Sequence, residues 1–201
     1  MPLTKTERAK NVKATSLLVN PHPCGHIVYP YTDEVLVGQA VALFASAGLR
    51  TSEGVILIMS AAHCESIKLR LQLEGLSPDV YEHSGQLICV TAEDLLATFL
   101  NDGVIQEEVF HGTVGSLIAK VRASDTTGSD GKVRVFGEMV NQLRGSDPKA
   151  TARLEELWNT VIEEHSVALL CTYALHGGGD HIPDDLVCLH SHSIERDSSV
   201  V

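Results

Sequence analysis

Three separated groups of residues carry side chains able to bind or activate a small molecule. The first is His26-Ile27-Val28-Tyr29-Pro30-Tyr31 and the second is Arg134-Val135-Phe136-Gly137-Glu138-Met139. The third is Leu170-Cys171-Thr172-Tyr173, followed by His190 and His192. Each sets polar groups at or beside the end of an apolar run that reads as a strand. Ligands of open α/β sheets bind at strand ends, so one pocket could gather all three groups. Tyr29 and Tyr31 share a face by the strand period of two, and His26 opens the same run, lining up a ring nitrogen with a phenol. The plain alternative is an edge histidine with two packed tyrosines. Glu138 could accept a hydrogen bond or hold a metal or water in such a pocket. It could equally be a helix N-terminal acid favoured by the dipole of the helix that follows. Gly137 beside it would let the backbone approach a ligand closely. Cys171 lies two residues before Tyr173, hence on the same side of its strand; a core role for that tyrosine is the competing reading.

The ten histidines raise the question of metal. Cys188, His190 and His192 form the most tempting zinc-type set, and His176, Asp180 and His181 offer further donors around three glycines. Neither spacing matches a closed structural zinc pattern. Nucleophilic catalysis lacks a Gly-x-Ser-x-Gly elbow. Cys64 reads as a neighbour of a helix cap, because adjacent helical residues such as His63 and Cys64 do not face each other. Phosphate binding fails on the same kind of test. The run after the second strand, Ser60-Ala61-Ala62-His63-Cys64-Glu65-Ser66, has neither glycine nor lysine, and Gly128-Ser129-Asp130-Gly131-Lys132 leads into a strand instead of a helix. No nucleotide or other cofactor is expected.

The elements that must position these groups alternate. Apolar runs at His26–Tyr31, Val55–Met59, Leu87–Val90, Val133–Phe136 and Val167–Tyr173 read as strands, most of them buried on both faces. Between them, Leu36, Ala40, Leu43, Phe44 and Ala47 stripe a helix capped by Asp33 and ended by Gly48. Further helices are expected over about 62–74, over about 106–123, and from Pro148 through Leu154, Leu157, Trp158, Val161 and Ile162. Pro183 opens a short helix through Leu189. This is the pattern of βαβ units in a three-layer α/β sandwich with a mostly parallel sheet. Residues 1–25 read as a polar leader, partly disordered or loosely packed, residues 26–194 as the domain, and residues 195–201 as a tail.

Composition narrows the class. Forty-four per cent apolar residues over 201 positions suit a single globular domain. No run approaches the roughly 18 apolar residues of a membrane span. After Lys5, Arg8, Lys10 and Lys13 the only apolar run is Leu17-Leu18-Val19, too short for a signal-peptide core, so a cytoplasmic protein is expected. Five scattered cysteines argue for reduced thiols. The net charge of −11, with basic residues concentrated in the leader, repels phosphate backbones and argues against nucleic acid as a partner.

Taken in order, these segments resemble the MEDS domain, the methanogen/methylotroph sensory domain of DcmR-type regulators. The likeness runs from about His26 to Ile194. It rests on His26 and Tyr31, Gly48-Leu49, Ser84-Gly85-Gln86-Leu87, the segment containing Arg134, Gly137, Glu138 and Met139, the pair Cys171 and Tyr173, and His190 or His192. The resemblance implies a RecA/KaiC-like core lacking the phosphate loop, in agreement with the absent glycines. It also implies sensing of a small hydrocarbon derivative in prokaryotic signal transduction. His26, Tyr31, Glu138 and Tyr173 would fix the ligand's polar end, with Arg134, Cys171 and His190 or His192 alongside and Phe136 and Met139 around its hydrocarbon part. Binding would bias a glycine-rich segment over 174–182. No kinase or DNA-binding module is visible, so output would pass through a signalling partner, a kinase or transcription regulator, or through homodimerisation. The alternative is a metal-dependent or acid–base enzyme using the same His/Glu/Cys pocket.

Overall fold

The computed structural model describes residues 13–128, 130–144, 147–176 and 180–200. Its centre is a six-stranded sheet of β1 (His26–Tyr31), β2 (Gly54–Met59), β3 (Leu87–Thr91), β6 (Val133–Gly137), β7 (Ala168–Ala174) and β8 (His192–Ser193); β4 (Leu100–Asn101) and β5 (Val104–Ile105) form a separate hairpin. The sheet order is β3-β2-β6-β7-β1-β8, parallel throughout. The continuous apolar runs arise because both sheet faces are covered. On one face Ile27, Tyr29, Val55, Leu57, Phe136 and Leu170 pack under α2 (Glu34–Arg50) and α3 (Ala61–Leu73). On the other, Val28, Ile56, Val135, Leu169 and Cys171 pack under α5 (Ala92–Phe99), α6 (Glu107–Arg122), α7 (Val140–Leu143) and α8 (Pro148–His165). Two shorter helices complete the set, α4 (Pro78–Ser84) and α9 (Asp184–Val187).

The helix ends follow their local chemistry. The Asp33 carboxylate accepts from the Val35 and Leu36 amides, and Gly75, at φ +78°, takes the left-handed conformation just beyond α3. Gly48 does not end α2, which runs on to Arg50. A Cβ there would stand 2.8 Å from Arg134 Cδ, so this glycine admits the buried arginine beneath the helix.

The described part of the leader is not loose. A helical segment, α1 (residues 13–19), buries Ala14 and Leu18 against the sheet. The tail packs as well: the Tyr29 hydroxyl donates to the Ser198 carbonyl at 3.0 Å and the Thr15 hydroxyl to the Val200 carbonyl at 3.2 Å. Burial, then the charges of Asp197 and Asp33, push the Tyr29 phenol up to about 12, so it stays a donor.

Sheet order fixes where a crevice must open. The chain leaves β2 through α3 towards β3 on one face, and leaves β6 through α7 and α8 towards β7 on the other. The carboxyl ends of adjacent β2 and β6 are therefore a topological switch point, where departing backbones part and leave a hollow.

Candidate functional site

Glu138 follows β6 directly into that hollow. Its amide donates to the Ile58 carbonyl at 3.0 Å, continuing the ladder between the two strands. Its Oε1 accepts from the Ser60 amide, just before α3, and its Oε2 stands 2.7 Å from His63 Nδ1. Glu138 thus serves the N-terminus of α3, across the sheet, and not the helix that follows it in sequence. His63 Nε2 lies 3.6 Å from Glu34 Oε2, which places the imidazole between two carboxylates. Burial alone would lower the His63 pKa; the hydrogen bond and charge of Glu138, aided by Glu34, outweigh it and raise it.

A raised histidine adds stability below the unfolded pKa of about 6.5, and that stability is lost as pH rises through the folded value. Because His63 is 42% exposed, the pair is worth no more than about 1 kcal/mol. The stability gap between wild type and His63→Gln should therefore be widest near pH 6 and close by pH 9. Urea unfolding at both values checks it; a gap that widens with pH would refute the pairing.

Around Glu138 and His63 lies a cavity of about 140 Å³ walled by Val37, Val41, Met59, Ile67 and Phe136, with Tyr31, Glu34 and Thr172 at its polar positions. Thr172 Oγ1 is buried there without a hydrogen-bond partner. Burial, then Glu34 and Glu138, push the Tyr31 phenol well above its ordinary value. A wider, open cleft adjoins it through the shared residues Tyr31, His63 and Glu138 and reaches Asn141, Arg144 and Asp180. Arg144 pairs with Asp180 and donates to the Ala174 carbonyl at 2.7 Å. Residues 177–179 of the glycine-rich segment lie outside the described residues.

The sequence-selected residues fall into four places. Tyr31 and Glu138 share the cleft, with Phe136 on its wall, whereas Met139 is buried in the core of the opposite face. His26, Cys171, Tyr173 and His190 meet on that opposite face, against α8. Five positions apart in one strand, His26 and Tyr31 must point to opposite sides and cannot line one wall. Arg134 stands at the far end of β6, about 13 Å from Glu138 along a strand rising ~3.3 Å per residue. There it pairs in two-pronged fashion with Glu53 and donates to the carbonyls of Leu18, Val19 and Phe44. The trio Cys188, His190 and His192 does not form: Cys188 is exposed, and His192 sits in β8 with Nδ1 2.8 Å from Ser191 Oγ.

Among the described residues the one grouping of three or more metal-type donors is His26, Glu155, Cys171 and His190, all within 4.8 Å of one another. Glu155, on α8, is fully buried. Its carboxylate accepts from the Tyr173 hydroxyl, and Oε2 lies 3.2 Å from His26 Nε2. Burial would raise the Glu155 pKa, but His190 and His26 override it and hold the carboxyl far below its usual range. Burial, then the charge of Glu155, push both the Cys171 thiol and the Tyr173 phenol well up.

Sequence reasoning passed over Glu155, His63 and Thr172 as site residues. Glu155 carried a signal: it falls on the apolar stripe of its helix, three residues before Trp158 and seven before Ile162. Thr172 carried none.

Among the described residues no helix is long and apolar enough to cross a membrane. The family model for MEDS, the methanogen/methylotroph, DcmR sensory domain, matches residues 25–191. No curated protein matches the chain.

Proposed function

The chain belongs to the MEDS family of sensory domains, and from that premise we propose that it binds a small hydrocarbon derivative in the cleft at the ends of β2 and β6, without turning it over. The observation that carries this reading is the cavity of about 140 Å³, apolar on its walls and polar at Tyr31, His63, Glu138 and the unpartnered Thr172 hydroxyl. A dry apolar cavity of about 150 Å³ is benzene-sized, which sets the scale of the ligand. An unsatisfied buried hydroxyl is costly, so a ligand supplying a polar group to Thr172 gains affinity. In the cavity Glu34 and Glu138 flank the His63 imidazole, so it favours neutral or cationic polar groups, such as alcohols and amines, over carboxylic acids.

We read the parallel core as RecA/KaiC-like. Its phosphate loop would be lost: only Thr32 and Asp33 separate β1 from α2, a turn too short and free of glycine to wrap a phosphate. The proposal also includes a cytoplasmic setting and output through a signalling partner or a homodimer.

A thermal-shift panel of short alcohols, halocarbons, amines and organic acids tests the binding site. A compound at 100 times its dissociation constant should add about 2.7 kcal/mol, on the order of 5–10 °C at this chain length. Thr172→Val and Glu138→Gln should each reduce that rise, and the acids should give none. A panel without any hit, or a rise indifferent to both substitutions, rejects the reading; conversion of a hit compound would assign acid–base chemistry to His63 and Glu138 instead.

A further inference from the structure

The donors gathered on the opposite face of the sheet take no part in the cleft. We propose that His26 Nε2, His190 Nε2, the Cys171 sulfur and the Glu155 carboxylate form a closed, buried site for a divalent transition metal of the zinc class.

Spacing is the first argument. Metal–donor bonds of about 2.0–2.3 Å in a tetrahedron set donor–donor separations of roughly 3.3–3.8 Å. Here Nε2 of His26 lies 3.2 Å from Glu155 Oε2 and 3.4 Å from Cys171 Sγ. Nε2 of His190 lies 3.5 Å from Glu155 Oε1, and Cys171 Sγ lies 3.7 Å from Glu155 Oε2. His26 Nε2, Cys171 Sγ and Glu155 Oε2 thus already stand close to tetrahedral separations from one another, and all four residues offer a donor within 4.8 Å of the rest.

Orientation is the second. His190 Nδ1 is 2.9 Å from the Leu186 carbonyl, which can only accept, so that nitrogen carries the proton. His26 Nδ1 is 2.8 Å from Asn159 Oδ1, and the Asn159 amide nitrogen donates to the Leu189 carbonyl at 2.9 Å. That second bond fixes the amide, making His26 Nδ1 a donor too. Both rings therefore turn Nε2 towards Glu155, and a neutral ring would aim a lone pair at a carboxylate. Nε2 of His190, whose side chain is fully buried, has no hydrogen-bond partner. A cation between the rings and the carboxylate removes the conflict, and the outer acceptors on both Nδ1 atoms are the supports that metal-bound imidazoles use.

Charge is the third. Two neutral imidazoles, one thiolate and one carboxylate exactly cancel a divalent ion, so the loaded site is neutral in an interior that tolerates no net charge. Loading displaces the thiol proton to solvent. Four protein donors leave no open position, which marks the site as structural and not catalytic. It would tie β1, β7 and α8 to the connection between β7 and β8, whose only described helix, α9, has four residues.

The test uses the full chain. Purified from zinc-supplemented cells, it should hold about one equivalent of zinc by elemental analysis. After chelation, cobalt(II) titration should produce a thiolate-to-cobalt charge-transfer band with the intense visible absorption of four-coordinate cobalt. Cys171→Ser should abolish that band, and Asn159→Leu should weaken metal affinity about 10–100-fold. Cys188→Ser and His192→Gln should leave it intact. A wild-type protein that retains no metal and gives no cobalt–thiolate band overturns the proposal, even if the Cys171 variant fails to fold. A band lost in Cys188→Ser overturns it as well, by placing the metal at the surface.

Discussion

Replacing Glu155 with alanine should cost on the order of 3–5 kcal/mol in urea unfolding, the expected penalty for removing one partner of a buried charged group. The reason is the number of donors left stranded. The Tyr173 hydroxyl donates to this carboxylate, His26 and His190 face it, and the Cys171 thiol has its oxygen as an acceptor. With the side chain gone, the buried Tyr173 hydroxyl and Cys171 thiol lose the acceptor they donate to, and a cavity opens beneath α8. The corresponding fall in melting temperature is roughly 10 °C for a chain of this length. Glu155→Gln keeps the volume and one acceptor for Tyr173, so its loss should be clearly smaller. Both are to be measured in excess chelator, so that the difference reports protein groups alone. An alanine variant within about 1 kcal/mol of wild type would mean that the cluster does not hold α8 to the sheet.

The framework of the domain was readable because each element states its own chemistry. Val55–Met59 is apolar without interruption, as a strand covered on both faces must be, and Asp33 and Pro148 begin helices where an N-cap and a first-turn proline belong. The α4 helix and the β4–β5 hairpin went unread, because their short runs carry too little periodicity to stand out. The site was readable only in part. Glu138 and Tyr31 share one cleft because both follow or end apolar strands that the sheet brings together. Grouping His26 with Tyr31 failed on parity, which the period of two contained all along. Grouping Arg134 with Glu138 failed on length, since four strand residues separate the two ends of the sheet. Thr172 could not be found from the chain itself: its role depends on β7 lying beside β6, a neighbour set by sheet order. His190 reaches the interior through a long connection whose path no local pattern encodes.

That same strand joins the two groups. Thr172 faces the cleft, while Cys171 and Tyr173 on either side of it face Glu155. Alternation along β7 therefore puts the cleft-facing hydroxyl and two members of the buried cluster on successive residues of one backbone.

Arg134→Met should destabilise the protein by about 3–5 kcal/mol and release the leader helix, although the residue touches neither the cleft nor the donor cluster. Its guanidinium is buried and fully employed. Two nitrogens hold the Glu53 carboxylate, and the outer ones donate to Leu18 and Val19 at 2.8 and 2.9 Å, the last carbonyls of α1. A cation at a helix C-terminus satisfies carbonyls that no intrahelical donor can reach. Methionine matches much of the volume but strands the Glu53 carboxylate and three backbone acceptors, and the site stays walled by Phe44 and Gly48. Arg134→Lys should recover little, because an ammonium on a flexible stem cannot present a planar fork to a carboxylate and reach two further carbonyls at once. Limited proteolysis provides the second readout: cleavage between α1 and β1, around Asn20–Gly25, should accelerate in both variants before global unfolding sets in. Wild-type cleavage rates in a destabilised Arg134→Met protein would break the link between this arginine and the leader.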